Sequence, residues 1–140
     1  MTGLRLLLFR CGGQVLAVEA AVVREILATG ALTRIPGASP SVLGLVNVRG
    51  TLVPVVDAGR AVGVEGELSR GTLVIVDRHE RPVGLAVDEV IDLVTVPAES
   101  LDTGVALPGV RPDLVRAVGS SGGRSFVQLA TDALLEPLLP

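Results

Sequence analysis

The sequence predicts an all-β fold built from two small five-stranded barrels. Around ten short apolar runs, separated by glycine, proline or polar turns, are typical of all-β proteins. The chain has two Phe and no Tyr or Trp, so aliphatic and β-branched side chains that favour strands must fill its core. The sequence "LAVD" at 85–88 repeats "LAVE" at 16–19, which indicates an internal duplication. Repeats of roughly 70 residues would close as barrels, because closure removes exposed strand edges.

The N-terminal part is predicted to form a hairpin followed later by a short strand. Two apolar runs, Leu4–Arg10 and Gln14–Glu19, flank the pair Gly12-Gly13, which is a good signal for a two-residue turn. A further short strand is predicted at Leu32–Ile35, where the rigid loop "PGASP" closes it.

Residues 19–27 are predicted to form a connecting helix of two turns. Their apolar members recur at helical spacing, and these are Val22, Val23, Ile26 and Leu27. Arg24 and Glu25 fall on the other side. On spacing alone, Glu25 belongs to a solvated helix face.

The segment "LGLVNVRGTLVPVVD", Leu43–Asp57, predicts a hairpin with a polar end. If Arg49-Gly50 is the turn, alternate residues give one consistent apolar face and Asn47 lies on the opposite face. If Gly50-Thr51 is the turn, Arg49 faces Leu52 across the hairpin. Either register holds Arg49 at the hairpin end, available to a carboxylate or to the carbonyls of a partner. Spacing alone favours an ordinary exposed hairpin arginine.

The second half is predicted to repeat this plan after a helical turn at 57–63 and a loop at 64–71. Residues 71–90 are predicted to form a strand, a turn and a second strand. Residues 126–135 are predicted to form a strand that leads into a C-terminal helix. Thr131 is the expected N-cap of that helix, with Asp132 in its first turn. Two prolines end it, Pro137 and Pro140.

We therefore expect one domain, residues 1–140, with short connecting helices and a C-terminal helix. It would consist of two pseudo-repeated halves, about 16–70 and 71–129, that exchange terminal strands.

Charge and composition exclude several classes of function. All twelve basic residues are arginine, against fifteen acids, which gives a net charge of -3. Without a basic stripe or stacking aromatics, nucleic-acid binding is not expected. No apolar run approaches the ~20 residues that cross a bilayer. Cys11 is the single cysteine, so an internal disulfide is excluded and a cytoplasmic location is expected.

Catalytic chemistry is also not expected. His79, the single histidine, sits in the polar turn "DRHERP", and Cys11 borders an apolar strand. Neither has a partner at a useful spacing for a nucleophile or for zinc. Ser120 and Ser121 belong to a glycine-rich hairpin tip, and the adjacent acids Asp88-Glu89 are expected to be solvated. We expect no metal and no cofactor. A hydrolase using Ser120 or His79 is the competing hypothesis, and loss of turnover in His79→Ala would support it.

The order of these motifs resembles the CheW family of chemotaxis coupling proteins and the related regulatory domain of the CheA histidine kinase. The resemblance runs from Leu4 to about Leu135. Its most specific part is "LGLVNVRGTLVPVVD", with "VREIL" and "VDEV" at the family's separations.

The resemblance implies two SH3-like barrels and a non-enzymatic adaptor. Such an adaptor links the cytoplasmic tips of methyl-accepting chemoreceptors to a CheA-type histidine kinase, in the cytoplasm and recruited to membrane-associated receptor arrays. The alternative is an isolated regulatory domain of the kinase itself. Because the sequence carries no kinase or receiver module, a standalone coupler is expected, and the extent of the reading frame distinguishes the two.

The resemblance also implies which residues contact each partner. The receptor tip, a helical hairpin, would dock in a groove between the barrels against Val23, Glu25, Gly44, Asn47 and Arg49. The kinase would contact an apolar barrel end through Val22, Ile26 and Val90. For Asn47 two interpretations stay open, a partner contact or a strap for the hairpin backbone.

Overall fold

A computed structural model of the chain describes residues 3–64 and 69–139. Within those ranges ten strands form two five-stranded sheets, which confirms the predicted all-β class. Sheet A has the order β8-β1-β2-β10-β9, with β1 (Leu4–Cys11), β2 (Gln14–Glu19), β8 (Glu89–Val96), β9 (Val115–Ser121) and β10 (Arg124–Leu129). Sheet B has the order β3-β6-β7-β5-β4, with β3 (Val23–Ala28), β4 (Val42–Val48), β5 (Thr51–Asp57), β6 (Thr72–Arg78) and β7 (Arg81–Val87).

The two sheets have the same internal order. Each strand of sheet B has a counterpart in sheet A at the same place in the order: β3, β6, β7, β5 and β4 correspond to β8, β1, β2, β10 and β9. Sheet B is one run of the chain from β3 to β7, whereas sheet A is assembled from the strands on either side of it. The chain therefore passes between sheets at Ala20–Val22 and at Asp88. The division into halves of about 16–70 and 71–129 stays a prediction about the repeats.

Three apolar clusters hold the sheets together. Leu6, Leu8 and Phe126 belong to a cluster of sheet A alone, and Val53 and Ile75 to a cluster of sheet B alone. The largest cluster, here called the shared core, takes residues from both sheets and from the C-terminal helix. Strands β1 and β6 are therefore buried on both faces, which explains the uninterrupted apolar runs "LLLF" and "LVIV".

Helical structure is short, as predicted. The helices are α1 (Ala58–Ala61) and α2 (Thr131–Leu135), with 3₁₀ turns at Ala20–Val22, Ala98–Ser100 and Pro112–Leu114. In α1 the buried Asp57 is the N-cap and accepts a hydrogen bond from the Arg60 amide at 3.1 Å. The N-cap of α2 is Ala130, so the expectation of Thr131 was wrong by one residue. The helix ends at Leu135, before Pro137. Pro140 and residues 65–68 of the predicted loop lie outside the described residues.

The predicted helix at 19–27 is wrong. Glu19 ends β2, Ala20–Val22 is a single 3₁₀ turn, and the residues from Val23 on belong to the edge strand β3. Along β3 half-buried and exposed residues alternate, with Glu25 half-buried and Ile26 exposed. Because Glu25 lies on the inner side of this strand and Ile26 on the outer side, the apolar residues of the segment recur at helical spacing. The predicted strand at Leu32–Ile35 is reduced to one bridge, between Thr33 and Leu45.

Candidate functional site

The β4–β5 hairpin turns at Arg49-Gly50. Val48 pairs with Thr51 and Asn47 with Leu52, so the register that turns at Gly50-Thr51 is wrong. Both turn residues have positive φ, 49° for Arg49 and 87° for Gly50. That combination is characteristic of a type I′ turn, whose twist matches the flanking strands. Arg49 occupies a backbone region that side-chain-bearing residues rarely adopt.

Asn47 holds this turn from inside the hairpin. Its Oδ1 accepts a hydrogen bond from the Gly50 amide at 2.8 Å. Asparagine side chains commonly satisfy turn amides in this way. The contact supports the interpretation of Asn47 as a strap for the backbone, and its exposed position on β4 leaves the rest of the amide accessible.

Arg49 and Glu25 form an ion pair across the end of sheet B. Nη2 of Arg49 donates to both oxygens of the Glu25 carboxylate, at 2.7 Å for Oε1. Because β3 and β4 are the two edges of sheet B, the pair joins edges that the strand order places farthest apart. The Arg49 side chain is 70% exposed and that of Glu25 is 29% exposed. The hydrogen bond to Glu25 raises the pKa of Arg49, so the guanidinium remains charged.

Gly44 has a backbone role in the same closure. Thr33 and Leu45 exchange two backbone hydrogen bonds of 2.9 and 2.7 Å, which tie the chain after β3 to β4. Gly44 has φ 147°, and a Cβ there would lie 2.4 Å from the Thr33 carbonyl oxygen. A side chain at this position is sterically excluded unless the Thr33 segment moves. Gly44 thus shapes the site, although it has no side chain to offer a partner.

The remaining predicted contact residues are distributed unevenly. Val23, Val22 and Val90 are half-buried and pack against the shared core. Ile26 is 45% exposed on the outer side of β3 and belongs to none of the three clusters. The structure therefore brings Glu25, Arg49 and Asn47 to one hairpin end, whereas Val22 and Val90 both pack against the shared core and Ile26 does not.

Sequence reasoning missed two neighbours of the ion pair. A depression of about 420 Å³ beside it is lined by Arg24, Glu25, Val48, Arg49, Thr51, Val53, Ile75 and Pro82. Arg24 also pairs with Asp77 of β6. Arg24 stands next to Glu25 in "VREIL", and the helical interpretation placed both on a solvated face. No local signal marks Pro82, which arrives from another hairpin.

Sheet A provides an internal comparison for the ion pair. Both edge strands carry a bulge at the same place, between Val23 and Glu25 in β3 and between Val90 and Asp92 in β8, which makes Asp92 the counterpart of Glu25. The β9–β10 hairpin turns at Gly122-Gly123, between Ser121 and Arg124, where sheet B has Arg49-Gly50. Sheet A therefore forms the same topology with an acid, Asp92, at the position of Glu25 but with glycine in place of Arg49.

The candidate catalytic groups show no catalytic arrangement. His79 is exposed in the two-residue turn between β6 and β7. Burial raises the pKa of the Cys11 thiol to about 12, and the carboxylates of Asp88 and Asp57 add to the shift. A thiol with that pKa stays protonated and is a poor nucleophile. Across residues 3–64 and 69–139, His, Cys, Asp and Glu form no group suited to a metal ion.

In the described part of the chain, none of the helices has the length and apolar character that a bilayer span needs.

Comparison with known proteins identifies the family. The model of the CheW-like domain matches residues 5–138. A chemotaxis protein CheW of Rhizobium meliloti is 36% identical over 96 residues, which cover 67% of this chain and 62% of that protein. A chemotaxis protein CheW of Bacillus subtilis is 31% identical over 114 residues, 80% of this chain and 72% of that protein.

A solved structure shares the fold. The scaffolding protein TtCheW of Thermoanaerobacter tengcongensis is 19% identical and superimposes with a TM-score of 0.86, covering 96% of this chain and 93% of the other. The match to the family model, which spans nearly all residues, confirms the resemblance predicted from the motifs and favours an adaptor over an enzyme. The chain belongs to the CheW-like domain family.

Proposed function

We propose that this protein is a coupling adaptor of chemosensory signalling, which joins the cytoplasmic tips of methyl-accepting chemoreceptors to a CheA-type histidine kinase. It acts in the cytoplasm, at membrane-associated receptor arrays. Membership in the CheW-like family and the names of the relatives support the general role. The Glu25–Arg49 pair carries the assignment of the receptor-binding site.

The pair is better explained by recognition than by stability. Exposed ion pairs contribute little to folding free energy, and the Arg49 side chain is 70% exposed. Sheet A has no such pair at the equivalent position, where Asp92 and Gly122 stand. The topology therefore forms without the ion pair, which supports an interaction of Arg49 with a partner.

The geometry suits the end of a helical hairpin. Arg49 uses Nη2 for Glu25, whereas Nη1 and Nε have no acceptor among the described residues. A guanidinium fixed in this way can donate to carboxylates or to the free carbonyls at a helix C-terminus. Asn47 sets the turn that carries Arg49, and Gly44 and Val23 shape the strands around it.

The kinase contact is assigned to apolar side chains. Val22 and Val90 lie half-exposed at the margin of the shared core, and Ile26 projects from the outer side of β3. A partner that covers them would bury aliphatic surface without displacing charged groups. Modest apolar contacts of this kind suit an adaptor that must bind and release.

A charge swap tests the receptor site. Glu25→Arg combined with Arg49→Glu restores an ion pair of the same length but exchanges the signs of the two positions. If the pair only closes sheet B, the double variant behaves like the natural protein. If Arg49 recognises the receptor, co-sedimentation with a receptor cytoplasmic fragment and the kinase falls as in Arg49→Ala, with unchanged circular dichroism.

The pair Arg10–Glu89 of sheet A supplies a matched control. Its side chains are 45% and 52% exposed, and it also links two strands. Arg10→Ala should leave the co-sedimented fraction unchanged. Equal losses for Arg10→Ala and Arg49→Ala, or full assembly with Arg49→Ala, would contradict the site assignment.

A further inference from the structure

A second recognition surface lies between the β4–β5 hairpin, the β6–β7 hairpin and the residues after α2. We call it the Leu52 groove. It encloses about 790 Å³ and is lined by Thr51, Leu52, Pro54, Arg78, His79, Arg81, Pro82, Val83, Glu136 and Leu139. None of the residues assigned above to the receptor or the kinase lines it.

The groove is the open end of the face through which sheet B joins the shared core. Alternate residues of β5 share a face, and Val56 on this face belongs to the shared core. Going outward on the same face come the half-buried Pro54 and then Leu52. Leu52 is 62% exposed, the highest value for a large apolar side chain among the described residues. The apolar face thus continues beyond the part that sheet A covers.

The charges of the groove are mostly positive. On β7, Arg81 is exposed and has no ion-pair partner among the described residues. Arg78 pairs with Glu136 at 3.4 Å, but its buried Nε has no acceptor within the described chain. His79 adds a further donor at the rim. In a protein with a net charge of -3, this local excess of cations selects an acidic partner.

The strand order restricts how a partner can bind. β5 lies between β7 and β4, and β7 lies between β6 and β5. The floor of the groove therefore has no free strand edge, and a partner cannot add a strand to it. Side chains must make the contact, as when a helix places an apolar anchor and a charge one turn apart into a groove.

We propose that the Leu52 groove docks an acidic amphipathic helix of a partner protein. An apolar side chain of that helix packs on Leu52 and Pro54, and a carboxylate one turn away pairs with Arg81. The single acid of the groove, Glu136, is already paired with Arg78 and does not repel the incoming carboxylate from Arg81. The groove adjoins the proposed receptor site, because Leu52 pairs with Asn47 and both Thr51 and Pro82 also line the depression beside Arg49, but Arg49 itself does not line the groove.

Titration of the full ¹⁵N-labelled chain tests this directly. The probe is an alanine-based helical peptide of about 18 residues with Leu and Glu at positions i and i+4, and its twin carries Lys for Glu. The acidic peptide should shift the amide resonances of Leu52, His79 and Arg81, and the Lys twin should not. Leu52→Ser and Arg81→Glu should each weaken binding about tenfold or more, as loss of a central contact does.

Matched variants on sheet A control for general effects of charge and hydrophobicity. Leu93 is 47% exposed and Arg124 is exposed, so Leu93→Ser and Arg124→Glu should bind the peptide like the natural chain, as should Arg49→Ala. Equal shifts with the Lys twin, or shifts confined to other surfaces, would overturn the proposal. So would an Arg81-dependent sedimentation with phosphatidylglycerol vesicles in the absence of peptide binding, which would assign the groove to a lipid surface.

Discussion

Replacing Gly44 by alanine should destabilise the protein through the backbone that passes over it. The added Cβ would lie 2.4 Å from the carbonyl oxygen of Thr33 and 2.9 Å from its carbonyl carbon. Neither atom is the end of a flexible side chain, so the segment at Thr33 must move away from β4. That movement stretches both backbone hydrogen bonds between Thr33 and Leu45.

The magnitude follows from these two effects. Each lost hydrogen bond costs about 1 kcal/mol, and a side-chain-bearing residue at φ 147° adds a strain of about 1 to 3 kcal/mol. Gly44→Ala should therefore lower the free energy of unfolding by about 3 to 5 kcal/mol. Against a typical total of about 5 to 15 kcal/mol, this is a large fraction.

Urea denaturation measures the effect, as a lower midpoint with an unchanged slope. Gly13→Ala is the matched control, since a Cβ at Gly13 meets no atom within 4 Å. The control should remain within about 0.5 kcal/mol of the natural protein. The same result for Gly44→Ala would refute the steric argument, and any accompanying loss of receptor binding would then make Gly44 a direct contact.

Three further substitutions have expected outcomes. In the folded chain the pKa of Cys11 is raised from 9.0 to about 12. Above pH 9 the unfolded chain therefore binds fewer protons than the folded chain, and the free energy of unfolding should fall by up to about 1.4 kcal/mol per pH unit. Because the chain lacks Lys and Tyr, Cys11→Ala should remove most of that slope in urea titrations between pH 9 and 11. Gln128 is 1% exposed and its Nε2 has no acceptor among the described residues. Gln128→Met should therefore raise the free energy of unfolding by about 1 kcal/mol. A lower urea midpoint would show instead that the amide has a hydrogen-bond partner. Glu80 has φ 65°, so Glu80→Gly should stabilise the β6–β7 turn by about 0.5 kcal/mol. This value is the strain of a left-handed backbone that the glycine removes, less the larger conformational entropy that glycine loses on folding. An unchanged or lower melting temperature would contradict this.

Local patterns were sufficient for the hairpins. The β4–β5 pairing follows from alternation along two strands and from a turn that tolerates positive φ, and both are written in consecutive residues. The same holds for β1–β2 and β6–β7. These elements could be predicted because each strand finds its neighbour within a few residues.

The helix predicted over β3 failed because the relevant partner is distant in sequence. Glu25 lies on the inner side of an edge strand, where Arg49 of another hairpin meets its carboxylate. Without that partner, a charge between Val23 and Leu27 breaks the strand alternation. The residues of the site came from the family resemblance, whereas the ion pair itself and the depression beside it needed the tertiary structure.

Sheet B is formed by one continuous segment of the chain, which has a consequence for protein engineering. Strands β3 to β7 are consecutive, and the chain passes from sheet A into sheet B at Ala20–Val22 and back into sheet A at Asp88. The span 23–87 can therefore be exchanged as one segment. It carries Glu25, Asn47 and Arg49 together, and the Leu52 groove except for its Glu136 and Leu139 wall. We therefore expect a chimera with only two crossover points to transfer the proposed recognition residues from one family member to another, provided that the two halves of the shared core are complementary.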